Sequence, residues 1–411
     1  MNVQAPARRP RDLRLDFFRG LGMFIIFIAH VPFNYWNDWI PARFGASDAT
    51  EIFVFCSGMA SAIAFGAIFR DRSFWLGAAR TAHRVWQVYW AHIALFMVTV
   101  AMLAWFDQWT PENYYTNRLY VRPFFEMTGD HILGLMTLQY VPNYFDILPM
   151  YMVILVMMPF IAYLGLRNRW LAFAAIGLIW FLAQFDILQF SAEVRPDEER
   201  EWFFNPFGWQ LVFFTGFAFM MGWLKAPPIK AGLVLLAIAV LALNVVVASR
   251  FGWDNLSWVI PLRDVTWKLF EKTDFGLMRY VHFLALAYLA YALVGDGGRR
   301  LAGAGVWGRF VHIVRKVGQQ SLAVFLSSMV LAQFFGMVLD LTGRTTLTVS
   351  LVNLTGFALL VAVAYLVAWF KKQPWRAPPP AARHAPPVEA QTPAPGRPHG
   401  ASVAERVREP A

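Results

Sequence analysis

Residues 14–30 read RLDFFRGLGMFIIFIAH. The stretch begins charged, runs apolar for ten residues after Arg19 and ends on a histidine. Arg19 and His30 are eleven positions apart, so at ~100° per residue they return to nearly the same helix face. A rise of ~1.5 Å per residue separates them by ~16 Å along the axis. Across a bilayer, Arg19 then sits at one edge and His30 lies past the midplane. An ionisable side chain at that depth is costly and marks a functional site by default.

The rest of the chain agrees with a membrane setting. Of 411 residues, 58% are hydrophobic, 15% charged and 17% aromatic. A soluble domain carries about 25% charge, and Trp and Tyr in excess fit interfacial belts. The single cysteine, Cys56, lies in an apolar run and excludes an intrachain disulfide. The basic start followed by an apolar run is like a signal peptide, but HVPFNYWNDW offers no small-residue cleavage site, which favours an uncleaved first span.

Ten stretches approach the ~20 apolar residues a bilayer core requires: 17–36, 49–69, 86–106, 145–165, 170–189, 207–224, 231–249, 277–294, 319–339 and 350–370. The apolar piece 129–141 is too short to span and reads as re-entrant or interfacial. With the N-terminus in the cytoplasm, 25 of the 36 Lys and Arg fall on inner segments, while 19 of the 26 acids fall outside or near outer span ends. This is the positive-inside distribution. The expected fold is therefore an all-α polytopic membrane bundle of about ten transmembrane helices with both termini cytoplasmic. Its parts are a cytoplasmic segment 1–16, a transmembrane domain 17–370 and a disordered Pro/Ala-rich tail 371–411. The net charge of +10 is then topology, with no nucleic-acid partner implied. Scattered histidines make a metal site improbable, and no internal repeat of broken helices points to a transporter.

The chemistry-bearing residues sort by depth. A short outer connection makes the first two spans antiparallel neighbours, so His30 can meet Glu51 or Asp48 at the start of the second. A carboxylate beside a histidine fixes its tautomer and stabilises the imidazolium, as a general base acting on a hydroxyl needs. The competing readings are a histidine bonded inside the bundle, and helix capping by Asp48 and Glu51. Capping suits Asp48 better than Glu51, which is nearly a turn into the apolar run. Arg19, with Asp16 three residues before it, is either an inner anchor or the cation that orients an anionic ligand. Arg80 and Arg84 share a face near Arg70 and Arg72, which suits phosphates or lipid headgroups equally. Arg279 and His282 share a face in the eighth span. A buried arginine there needs an anion, either Asp146, Asp274 or a substrate carboxylate.

RDLRLDFFRGLGMFIIFIAH, SDATEIFVFCSG, LMTLQYVPNYFDILPMY, NPFGWQLVFFTG, RYVHFLALAYL and GQQSLAVFLSSMVLA, in that order over roughly residues 11–340, resemble the OpgC-type family of succinyltransferases. These membrane proteins transfer succinyl groups to osmoregulated periplasmic glucans. That family is similar in turn to the polytopic membrane acyltransferase superfamily. The superfamily's first-span hallmark is a basic residue, ten intervening residues and a histidine, matched here by Arg19 and His30. Its third-span arginine pair has two residues between, whereas Arg80 and Arg84 have three.

The resemblance implies a succinyl-CoA or other acyl-CoA co-substrate with no bound cofactor, a periplasmic glucan acceptor and an inner-membrane location. Glucan synthesis proteins are further candidate partners. The expected sites are His30, Glu51 and Asp48 as catalytic residues, Arg19, Arg80 and Arg84 for the donor, and Arg279, His282 and Asp146 for substrate. Arg279 or Arg19 can hold the free carboxylate of a succinyl group. A transporter or flippase for an anionic glycan or lipid is the alternative, and a non-catalytic subunit of a glucan synthesis complex is a third reading.

Overall fold

The computed structural model describes residues 12–110, 113–192, 194 and 200–376. The expected tail lies outside these from residue 377 onward, as does the segment 1–11. Among the described residues the chain is all-helical, without a β-strand. Its long helices are α1 (Leu13–His30), α2 (Ala49–Ser61, continuing through a π turn to Asp71), α3 (Phe74–Asp107), α4 (Ile147–Arg167), α5 (Arg169–Ala183), α6 (Pro206–Met221), α7 (Ala231–Val247), α8 (Leu277–Val294), α9 (Gly305–Gln319), α10 (Ser321–Thr342) and α11 (Thr346–Lys372).

Six of these helices, α2, α3, α4, α8, α10 and α11, are long and apolar enough to cross a membrane, while α5, α6 and α7 are apolar but shorter. The 15 residues of α5 cover only ~22 Å at ~1.5 Å per residue, against a ~30 Å hydrocarbon core. The first turns of α1 carry Arg14, Asp16 and Arg19, which leaves the ten-residue apolar run to His30. The expected first span ran to residue 36, but α1 stops at His30. Val31 precedes Pro32, and a residue before proline is pushed out of the helical region. The piece 129–141 forms a ten-residue helix, Thr128–Thr137.

Glycines set where the helices cross. A Cβ on Gly20 of α1 would overlap the Val314 carbonyl of α9, and one on Gly318 would overlap the Asp16 carbonyl. The same reciprocal contact recurs between Gly58 of α2, against Phe213, and Gly216 of α6, against Phe55. Close backbone approach through small residues is how helices associate where the solvent is itself apolar. α1 is thereby held between α2, α9 and α10. The core around it is aromatic, with Phe27, Phe53, Phe325 and Phe335 buried together.

Helix α2 runs antiparallel to α1. Arg19 donates from Nη2 to the Cys56 carbonyl at 3.1 Å, and a Cβ on Gly22 would lie 3.6 Å from Ile52. The eight residues from Gly22 to His30 add ~12 Å of helix, so His30 lies well beyond the level of Ile52 and Glu51. The loop after α1 is tied back by a buried amide pair: Asn34 and Asn353 donate to each other at 2.9 and 3.0 Å.

The contacts divide the chain after Ala368. Beyond that point the described residues are the end of α11 and a short continuation, in which Trp369, Phe370 and Trp375 pack their rings on one another.

Candidate active site

His30 closes α1. Its Nδ1 lies 2.7 Å from the Ile26 carbonyl one turn back. A carbonyl oxygen can only accept, so Nδ1 carries the hydrogen and the neutral ring presents its lone pair at Nε2. Nothing among the described residues hydrogen-bonds Nε2, and the side chain is half-exposed. The Tyr144 ring meets the imidazole edge-on, with centroids 5.1 Å apart at 81°. Tyr144 is itself fixed, donating its hydroxyl to the Met329 carbonyl of α10 at 2.6 Å. Its backbone has φ 89°, a left-handed value strained for a bulky side chain.

The acids of α2 are engaged elsewhere. Glu51 accepts Arg279 Nε and Nη2 on one oxygen at 2.9 and 2.6 Å. Its other oxygen accepts the Asp48 backbone N–H at 2.8 Å. Asp48 accepts the Thr50 N–H at 2.7 Å and Lys272 Nζ at 2.6 Å, with Arg279 at 3.6 Å. Glu51 and Asp48 therefore form a capping box that doubles as the acidic half of a four-charge cluster. Burial raises the Asp48 carboxyl, but Lys272 and Arg279 outweigh it and hold the group well below the usual carboxylate range. Glu51 is bonded to Arg279 and not to His30, and the carbonyl of Ile26 takes the orienting place expected of a carboxylate.

Of the basic half, Arg279 lies on α8 and Lys272 on the segment between α7 and α8. Three side chains donate to the backbone of that segment: Trp209 to the Lys272 carbonyl at 2.9 Å, Gln184 to Asp274 at 2.7 Å and Trp180 to Phe275 at 3.0 Å. Each such bond contributes about 1 kcal/mol net. Asn205, which caps α6, also donates to the Asp274 carboxylate at 2.9 Å, and Gly208 packs against the Asp274 carbonyl where a Cβ would not fit. This accounts for the asparagine and the glycine of the NPFG stretch.

His282, one turn along α8 from Arg279, accepts on Nδ1 from the Ser47 N–H at 3.2 Å, with the Ser47 hydroxyl at 2.7 Å. Gly45 lies against its ring with no room for a Cβ. Arg279 and His282 thus hold the strand of chain that enters α2. Asp146 is not their partner. It precedes α4 and is buried.

Arg19 is buried and bonds to protein oxygens. Besides Cys56 it reaches the Gly318 carbonyl and the Ser321 hydroxyl, both at 3.5 Å, and its Nε is left without a partner. Arg80 and Arg84 lie on the first turns of α3, Arg80 exposed and Arg84 bonded to Gln87 at 3.2 Å. Lys272 and Tyr144 were missed as site residues by reading the sequence. Lys272 stood in a stretch read as a loop, and Tyr144 stood inside the PNYFD motif without a chemical reading.

Beside the ion cluster lies a cleft of about 320 Å³, lined by Asp48, Arg279, Glu271, Arg263, Trp253 and Trp267 among others.

The family model described as OpgC protein matches residues 11–372. The chain belongs to the OpgC protein family. Membership implies a part in modifying osmoregulated periplasmic glucans, in a transferase role. No curated protein and no solved structure matches the chain.

Proposed function

We propose that this OpgC family member is a membrane O-acyltransferase that moves a succinyl group from cytoplasmic succinyl-CoA to hydroxyls of periplasmic glucans. It works as a bundle of ten spans in the inner membrane with both termini cytoplasmic. The observation that carries the reading is the His30 geometry. A proton fixed on Nδ1 by the Ile26 carbonyl leaves Nε2 as an unoccupied base at the half-exposed end of α1, in a family that modifies sugars.

In this reaction Nε2 accepts the proton of a glucan hydroxyl as its oxygen attacks the thioester carbonyl carbon. The C–O bond forms, the C–S bond breaks, and the departing thiolate takes the proton from His30. The products are the glucan ester and the free CoA thiol. A positioned base of this kind contributes about 10²- to 10⁴-fold. Arg80 and Arg84 are the cations proposed to meet the CoA phosphates, since Arg70 is already paired with Asp71 at 2.7 Å.

The succinyl carboxylate needs a nearer partner than Arg19. Its carboxylate and thioester carbons are three bonds apart, roughly 4 Å. Arg19 lies ~16 Å down the helix from His30 and leans toward the N-terminus, away from it. Arg279 is already neutralised by Glu51. Lys272 is paired with Asp48 at 2.6 Å but, unlike the buried Arg279, is half-exposed, and it is the cation proposed to meet the succinyl carboxylate.

The test uses the purified full-length protein in lipid nanodiscs with radiolabelled succinyl-CoA and unsubstituted periplasmic glucan. Label appearing in the glucan as an alkali-labile ester supports the reading. No ester, with labelled glycan or lipid moved across a vesicle membrane instead, would replace it with transport.

A further inference from the structure

The cleft beside the ion cluster is a separate feature from His30, which does not line it. Its walls come from the start of α2, the end of α7, the short helices Arg250–Asn255 and Val259–Phe270, and α8. We propose that this cleft is a saccharide subsite that holds one glucosyl unit of the acceptor, stacked on indole and hydrogen-bonded to Glu271 and Arg263. The proposal rests on the glucan-modifying reading above and names where that acceptor is held.

Four observations point to a neutral, hydroxyl-rich ligand. First, the wall carries two indoles, Trp253 and Trp267, beside Phe270. Flat aromatic faces suit the C–H-bearing face of a pyranose ring, and an indole combines apolar area with little conformational freedom to lose. Second, the charges are mixed: Asp48 and Glu271 against Arg263 and Arg279. With two acids balancing two guanidiniums, a phosphate or a free carboxylate gains no net attraction, and a lipid chain would strand four charges away from water. A polyol meets both signs, because each hydroxyl can donate to a carboxylate and accept from a guanidinium.

Third, hydrogen-bonding capacity is left over. Glu271 Oε2 is buried without a hydrogen bond, its nearest cation being Lys268 at 3.6 Å. The Arg263 guanidinium lies over the Trp253 ring at 3.9 Å, which orients the group without using its N–H donors. Fourth, a volume of about 320 Å³ sits at the small end of the range for ligand sites and suits a short piece of a glycan, with the remainder of the chain outside.

The experiment measures binding of an uncharged glucose tetrasaccharide to the full-length protein in nanodiscs by calorimetry, with the steady-state ester assay in parallel. Trp267→Ala and Glu271→Gln should each weaken tetrasaccharide binding tenfold or more and raise KM for glucan in proportion. KM for succinyl-CoA and kcat should stay at the wild-type level. Trp267→Phe keeps an aromatic face and should retain most of the affinity, which separates loss of stacking from loss of fold. If all three variants bind the tetrasaccharide and use glucan as the wild type does, the subsite is refuted while acyl transfer stands. If the wild type binds succinate but no sugar, the cleft is an anion site and the proposal fails. Sugar binding that the variants lose, in a protein that forms no ester, would keep the subsite and refute acyl transfer.

Discussion

Arg279 on α8 donates two hydrogen bonds to one carboxylate oxygen of Glu51 on α2, at 2.9 and 2.6 Å. The pair joins residues 228 positions apart, and both are buried. Glu51→Gln keeps a side chain able to complete the capping box and removes only the charge. Leaving Arg279 without its main partner should cost about 3 kcal/mol, as broken buried pairs do. Adding Arg279→Met should restore part of that stability, because no orphan charge remains. Chemical denaturation in detergent measures both. A double variant no more stable than Glu51→Gln would show that the pair is not what holds α8 on α2.

Tyr144 should behave as a positioning residue for His30. Tyr144→Phe keeps the edge-on ring and gives up the hydroxyl bond to Met329. Its kcat should fall a few-fold. Tyr144→Ala removes the ring and should lower kcat by about 100-fold, within the range that loss of correct placement can reach. KM for succinyl-CoA should be unchanged in both. An Ala variant with wild-type kcat would mean that the Ile26 carbonyl alone sets the imidazole.

Backbone contact at the α1–α9 crossing predicts strong sensitivity to one methyl group. Gly318→Ala and Gly20→Ala each place a Cβ on a facing carbonyl, and overpacking of this kind costs about 1–3 kcal/mol. Gly177, which has open space around its missing Cβ, should accept alanine without loss. Thermal unfolding of the three variants compares them directly. Equal midpoints would contradict the crossing.

The helices were legible because apolar runs of bilayer length leave little else for the chain to do, and Arg19 and His30 stand out by their position in one such run. Their shared face follows from periodicity alone. The pairing of Glu51 was not legible. Its partner lies 228 residues on, and the sequence offered Asp146 and Asp274 to Arg279 on equal terms. Antiparallel neighbours suggested that His30 and Glu51 meet, but the register of α1 on α2, set by Gly22 against Ile52, leaves them ~10 Å apart in level. Lys272 is placed by carbonyl contacts from Trp209, Gln184 and Trp180 on other helices, and none of these has a local pattern. The strained backbone of Tyr144 likewise leaves no mark in a stretch without glycine.

The central claim is that His30 Nε2 is the base of the transfer. His30→Gln, purified folded in nanodiscs and given radiolabelled succinyl-CoA and glucan, tests it most directly. The account predicts that ester formation falls by at least about 100-fold while succinyl-CoA still binds. Ester formed at the wild-type rate would contradict it.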